Sequence, residues 1–264
     1  MRDVSPGWAT DLAVLKHSGS TVEDHGDHLV VRTPTNPNFH WGNCIFVTDE
    51  ATVDDPQRWV ETFHTNFPNA SWVAIGLTRM PTDVDAWTKA RLDLELDDVL
   101  TTRALPRQTP LAEGYTARQL SGDDWEQYVL RELEDNRRTG EYEPQSHERF
   151  ARAQAQTRRS LSDRDIAAFF GAFAERRLVA DLGIVRCGRS ARYQSVGTDA
   201  KHRRRGLASH LLGLAARWAG EREAEQWVIV TEATNPAGRL YRSVGFAPDL
   251  GTARAYRRPP LIKD

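Results

Sequence analysis

The sequence predicts an α/β protein made of two similar halves. Three observations carry that prediction. Strand-like and helix-like runs alternate along the whole chain. A break, "LPRQTPLAEGY" at 105–115, has two prolines, a glycine and no apolar periodicity. The charge changes sign across it: residues 1–110 hold 16 acidic and 9 basic side chains, net −7, and residues 111–264 hold 21 and 26, net +5. We therefore expect one domain over 1–108 and a second over 109–264, the second being the one to meet an anion.

In the first half, "HLVVRT" (28–33) and "NCIFVTD" (43–49) read as strands. "PQRWVETFHTNF" (56–67) reads as a helix with Trp59, Val60, Phe63 and Phe67 on one face. Asp55 and Pro56 supply its cap and first residue. "SWVAIGL" (71–77) is a buried strand, "DVDAWTKARL" (83–92) a short helix, and "LDLELDDVL" (92–100) a further strand.

After the break, "YTARQL" is a strand, and 122–138 and 145–161 are helices. Runs at 165–173, 177–187 and 191–198 are strands. A helix runs from about Gly206 to Glu223, with Leu207, Leu211, Leu214, Ala215 and Trp218 as its buried stripe. "QWVIVTE" (226–232) is a strand, "PAGRLYRSV" (236–244) a helix stopped by Gly245, and "ARAYRR" (253–258) a last strand. Strand, helix, strand, helix, strand thus occurs at 43–100 and again at 191–258, with little sequence in common.

The 264 residues are 39% hydrophobic and include eight Trp and nine Phe, which suits a globular chain with a sizeable core. The net charge of −2 gives no overall field toward nucleic acid. Cys44 and Cys187 are the only cysteines, far apart, which offers neither a disulfide framework nor a zinc site. No apolar run approaches 18 residues and the first twenty lack a signal-peptide core, so we expect a cytoplasmic protein without a membrane partner.

The stretch "KHRRRGLASHLLGLAARW" (201–218) is the most informative. It follows a strand and opens a helix. Helix N-termini offer unpaired N–H groups and partial positive charge, and arginines add charge-assisted bonds to phosphate. Three readings fit these residues: a solvated basic turn, a nucleic-acid contact, or a phosphate cradle. One basic cluster without interleaved aromatics is a poor nucleic-acid surface. No G-x-x-x-x-G-K-[ST] or strand-linked G-x-G-x-x-G occurs, which argues against triphosphatase and dinucleotide folds.

Within "SVGTDAKHRRRGLASHLL", Arg203-x-x-Gly206-x-Ala208 resembles the Q/R-x-x-G-x-G/A signature of the GNAT superfamily of acetyl-CoA-dependent N-acetyltransferases. Asn235, Tyr241 and Gly245-Phe246 resemble its second signature. The resemblance covers about 112–258. It implies two GNAT-like domains, each a mixed, mostly antiparallel sheet flanked by helices. It further implies acetyl-CoA as cosubstrate, no metal, and an amine-bearing acceptor, on a small molecule or a protein terminus. Val196, Gly197 and Thr198 would hold the pantetheine arm through backbone. Amides from Arg204 through Arg205, Gly206, Leu207 and Ala208 to Ser209 would hold the pyrophosphate, with Arg203 assisting. Asn235 would bond the pantetheine or help splay the sheet. Tyr241 would protonate the leaving thiolate.

The general base is not transferred by any motif. Candidates are Glu232, ranked first, Asp181 and Glu175; Gln194 stands where some members carry a carboxylate. The matching turn of the first half holds Asp54 and Asp55 and no glycine, so a degenerate first domain that shapes the substrate cleft is expected. Within "NPNFHWGN", Phe39, His40 and Trp41 either line a pocket or pack the seam between halves. A CoA-binding regulatory module without catalysis is the alternative function, and a homodimer is left open.

Overall fold

The structure is a computed structural model and describes residues 5–260. Helix α1 spans Pro6–His17, and Ser5 caps it by accepting from Gly7 N at 3.3 Å. Periodicity does not mark this helix, because its buried residues do not form one stripe: Trp8 and Leu15 enter a core while Asp11 faces Arg192. Strand β1 (Thr21–Asp24) was also unforeseen; it is a polar, mostly exposed edge.

Strands β2 (His28–Arg32) and β3 (Cys44–Val47), helix α2 (Pro56–Asn66), strand β4 (Val73–Leu77), helix α3 (Val84–Lys89) and strand β5 (Asp93–Thr102) follow in the expected order. Asp55 caps α2 by accepting from Arg58 N at 3.1 Å. The second half supplies β6 (Tyr115–Gln119), α4 (Asp124–Thr139), α5 (Pro144–Asp163), β7 (Ala167–Ala174), β8 (Arg177–Cys187) and β9 (Ser190–Thr198). Then come α6 (Leu207–Gly220), β10 (Gln226–Glu232), α7 (Ala237–Ser243), the short β11 (Ala247–Pro248) and β12 (Thr252–Arg257).

All strands join one mixed sheet, mostly antiparallel, in the order β1-β2-β3-β4-β12-β5-β10-β9-β8-β7-β6, with β11 also on β5. The repeated segments are visible in it: β3 runs parallel to β4, and β9 parallel to β10. Their final strands are exchanged. β12 ends the second repeat yet pairs with β4, with Ala255 opposite Ile75. β5 ends the first repeat yet pairs with β10, with Ile229 opposite Leu100. The two exchanged strands pair with each other, Ala255 opposite Leu94. Accordingly Ala253, Ala255 and Tyr256 are buried in the core of the first half, with Trp59, Phe63 and Trp87.

Helices α6 and α7 cover one face of the second half, over Leu182, Ile184 and Tyr193. α4 and α5 cover the other over Phe169 and Val185. Val185 is in register with Arg192, which contacts α1, so α1, α4 and α5 share a face. The segment before β6 is strapped down: Thr109 Oγ1 bonds Ser209 Oγ at 2.6 Å, and Arg107 N donates to Val244 O at 2.8 Å.

Candidate active site

The parallel pair β9–β10 is joined only from Gln226–Ser190 to Val228–Arg192. Beyond that the two strands part, leaving backbone groups at the end of β9 facing a gap. β9 also bulges. Asp181 and Gly183 of β8 oppose Gly197 and Gln194, so β9 carries one extra residue there. Ser195, at the bulge, has φ +49°, a conformation uncommon for a side-chain-bearing residue. Val196, Gly197 and Thr198 therefore lie at the gap's rim, and the Thr198 carbonyl accepts from Arg203 Nε at 3.1 Å.

Past Thr198 the chain makes a 3-10 turn, Ala200–His202, then Arg204 (φ +60°) and Gly206 (φ +75°) swing it into α6. The first helical bond is donated by His210 N to Gly206 O at 2.9 Å, so the amides of Leu207, Ala208 and Ser209 precede the ladder. Arg203, Arg204 and Arg205 are exposed and form no ion pair among the described residues. Arg205 lies 5.9 Å from the Tyr115 ring, whose hydroxyl bonds His202. Three guanidinium groups without a carboxylate partner, beside helix amides outside the ladder, give this turn the chemistry that can hold an anion. The side chain of Ser209 is engaged by Thr109 and the Arg107 carbonyl, which leaves its backbone amide for that turn.

One cavity of about 1590 Å³ joins this turn to the gap and continues between α1 and α4. Tyr241 lines it from α7 and is 5% exposed; burial pushes its phenol up to about 12. Asn235 is exposed, and its Oδ1 accepts from Ala237 N at 2.9 Å, capping α7.

Of the three candidate bases, only Glu232 lines the cavity. Its side chain is 46% exposed and lies 3.6 Å from Arg254. Asp181 is buried beneath α4 and paired with Arg131 at 2.8 Å, and Glu175 is in the exposed β7–β8 turn. Sequence reasoning missed Asp97 of β5, which is 5% exposed and lines the same cavity. Its signal was hidden in a run of alternating acids and leucines that suits any half-exposed strand.

Phe39 and Trp41 line the cavity's far end with Trp8 and Phe46. His40 instead packs the seam: Nδ1 lies 2.6 Å from Tyr256 Oη, its ring stacks on Trp72, and burial lowers it to about 4. Phe39 does both, its ring 5.8 Å from Phe150 of α5. The corresponding turn of the first half is closed. Asp54 is paired with Arg79 at 2.8 Å, whose hydrogen bond lowers its carboxyl to about 2.

A splayed parallel pair, a bulge before the split and a glycine-started helix flanked by arginines without ion-pair partners meet at one cavity. Residues 124–246 match the Acetyltransferase (GNAT) family, and that part of the chain is a GNAT domain. Over the whole chain, the fold is similar to a GCN5-related N-acetyltransferase from Kribbella flavida: TM-score 0.66, 16% identity, 98% of this chain and 97% of that one. It is similar also to a functionally unknown conserved protein from Staphylococcus epidermidis, with TM-score 0.69, 11% identity and coverages of 90% and 93%. A tandem GNAT protein from the clavulanic acid biosynthesis pathway aligns at TM-score 0.53 and 13% identity, covering 95% of this chain and 89% of that one. No curated protein matches the sequence. No helix among the described residues is long and apolar enough to cross a membrane.

Proposed function

We propose that this protein transfers the acetyl group of acetyl-CoA to an amine, with one working site in the second half. The observation that carries this is the meeting, in one cavity, of the arginine-flanked start of α6, the opened end of β9 and the Tyr241 side chain. The pyrophosphate would rest on the amides of Gly206, Leu207, Ala208 and Ser209, with Arg203, Arg204 and Arg205 around it. The pantetheine arm would lie along Val196, Gly197 and Thr198, and the thioester would reach the bulge. A backbone N–H freed there can bind the oxyanion of the tetrahedral intermediate. Tyr241 would face the leaving thiolate as hydrogen-bond donor.

The acceptor enters from the opposite side, between α1 and α4, where the first half contributes Trp8, Phe39, Trp41 and Phe46. This supports a cleft-shaping role for the first half, residues 1–108 completed by the exchanged strand β12. Its own turn, closed by the Asp54–Arg79 pair, favours a single cosubstrate site. A panel of small amines and peptide N-termini, assayed with acetyl-CoA by thiol release, tests the reading. Tight acetyl-CoA binding without thiol release from any acceptor would leave a CoA-binding regulatory module instead.

A further inference from the structure

The exchange of final strands brings a carboxylate of the first half onto the floor of the second half's cleft. Asp97 of β5 is in register with Glu232 of β10 on one side and Thr252 of β12 on the other. Residues in register on neighbouring strands share a face, so these three project together toward α1. Arg254, two residues along β12 from Thr252, lies on that face too.

Charge is unbalanced there. Arg254 is shared by three carboxylates: Asp97 at 2.8 Å, Glu95 at 3.1 Å and Glu232 at 3.6 Å. The next cation, Arg192 of β9, is taken by Asp11 of α1 at 2.8 Å. One guanidinium for three carboxylates leaves room for a second cation. Asp97 is the most enclosed of the three, at 5% exposure, and still lines the cavity.

Resting on the proposed acetyl transfer, we infer that Asp97 is the acceptor-amine site: its carboxylate receives a primary ammonium group and takes its proton. The ammonium R–NH₃⁺ gives one proton to the Asp97 carboxylate and becomes R–NH₂. Its lone pair forms the C–N bond at the thioester carbonyl, and the C–S bond breaks as the oxyanion collapses. The surplus proton on nitrogen passes to the thiolate, giving the amide and CoA thiol, and Asp97 returns its proton to water. The site selects cationic amines over alcohols and over amines flanked by a carboxylate.

Burial moves Asp97 up to about 6, against the pull of Arg254 and Arg192 and with a push from Asp11. Glu95 and Glu232 also face it across Arg254. A carboxylate raised in this way is a stronger base than an ordinary one, and it titrates within the working range.

The test uses the full chain, acetyl-CoA and a set of simple primary amines, n-butylamine and benzylamine included, followed by CoA release from pH 5 to 9. Asp97→Asn and Glu232→Gln are compared with the wild type, with acetyl-CoA affinity measured separately by calorimetry. The expected wild-type kcat/KM for the amine rises through an acid limb centred near pH 6. Asp97→Asn loses the limb and about 100-fold or more of the plateau, with acetyl-CoA affinity unchanged. Glu232→Gln keeps the limb. Turnover by the wild type with limb and rate intact in Asp97→Asn, or with the limb lost in Glu232→Gln, overturns the assignment alone. Acetyl-CoA binding without CoA release from any amine overturns the acetyl transfer as well.

Discussion

Arg131 of α4 donates from Nε to Asp181 Oδ1 at 2.8 Å, and the same guanidinium lies against Gly197 at the rim of the gap. A second branch of it pairs with Asp199, just past the end of β9. This one side chain therefore ties α4 to β8 and fixes the height of the strand end that the pantetheine arm would follow. A β-carbon at Gly197 would come within 3.0 Å of Arg131 Nη2.

Asp181 is 4% exposed, so removing its partner strands a charge in the interior. Arg131→Met should cost about 3–5 kcal/mol of stability, more than an exposed ion pair would. Urea unfolding of the variant measures this. A loss under 1 kcal/mol would mean that Asp181 finds water or another partner. Gly197→Ala should leave stability closer to wild type and weaken acetyl-CoA, because it presses on the Nη2 end of Arg131 and keeps both charges of the pair.

Gly206 sits at φ +75°, and a β-carbon there would meet Thr109 Cγ2 at 2.8 Å. Alanine would pay the left-handed penalty of about 1–2 kcal/mol and displace the strap over α6. Gly206→Ala should lower the melting temperature and weaken acetyl-CoA at least about tenfold, roughly 1.4 kcal/mol. Ser209→Ala removes the hydroxyl that bonds Thr109 and Arg107 O in the strap. It should lower stability alone, since the Ser209 amide is kept. Calorimetric titration beside thermal melts separates the two outcomes.

Much of this arrangement was legible in the sequence. Periodicity placed most strands and helices, and Asp55 and Gly206 marked helix starts by their chemistry. The strand–turn–helix at 191–220 could be read because strand, basic turn, glycine and amphipathic helix are contiguous. The rest depends on neighbours that periodicity does not encode. "ARAYRR" shows which residues are buried but not which strand lies beside them, so β12 read as part of the second half. α1 has no single apolar face, because it spans two cores and an ion pair. Asp97 acquired its setting only when β5 was placed between β10 and β12. The bulge at Ser195 left no mark, as serine is no signal for a positive φ.

The exchanged strands predict that the halves do not separate. Without β5, the β10 edge from Trp227 to Glu232 is unpaired, and without β12 so is β4. Fragments 1–104 and 105–264 made separately should be aggregated or partly unfolded, since both expose long apolar edges. Co-expressed, they should assemble into one soluble particle that binds acetyl-CoA. Size-exclusion chromatography reads the result. A folded, monomeric 105–264 fragment with full acetyl-CoA affinity would show that β10 tolerates the loss of its partner.

Tyr241 yields the last prediction. Its phenol is pushed by burial from the ordinary 10.0 up to about 12. A group held that high keeps its proton through the neutral range, so no alkaline limb below about pH 11 should come from it. It also holds the proton more tightly than a thiol near the ordinary value of about 8.5. Full transfer to the thiolate is therefore uphill, and the contribution of Tyr241 is a hydrogen bond that strengthens as charge builds on sulfur. Tyr241→Phe should lower kcat by about 10–100-fold with the amine KM little changed. The linkage has a definite sign. A folded-state value above the unfolded one stabilises the fold fully below pH 10 and loses that stabilisation as pH rises toward 12. The phenylalanine variant should thus match wild-type stability near neutrality and lose less between pH 10 and 12. Urea midpoints across that range, beside steady-state kinetics at pH 8, check both halves. An unchanged kcat with an altered alkaline stability would make Tyr241 a packing residue and no part of the chemistry.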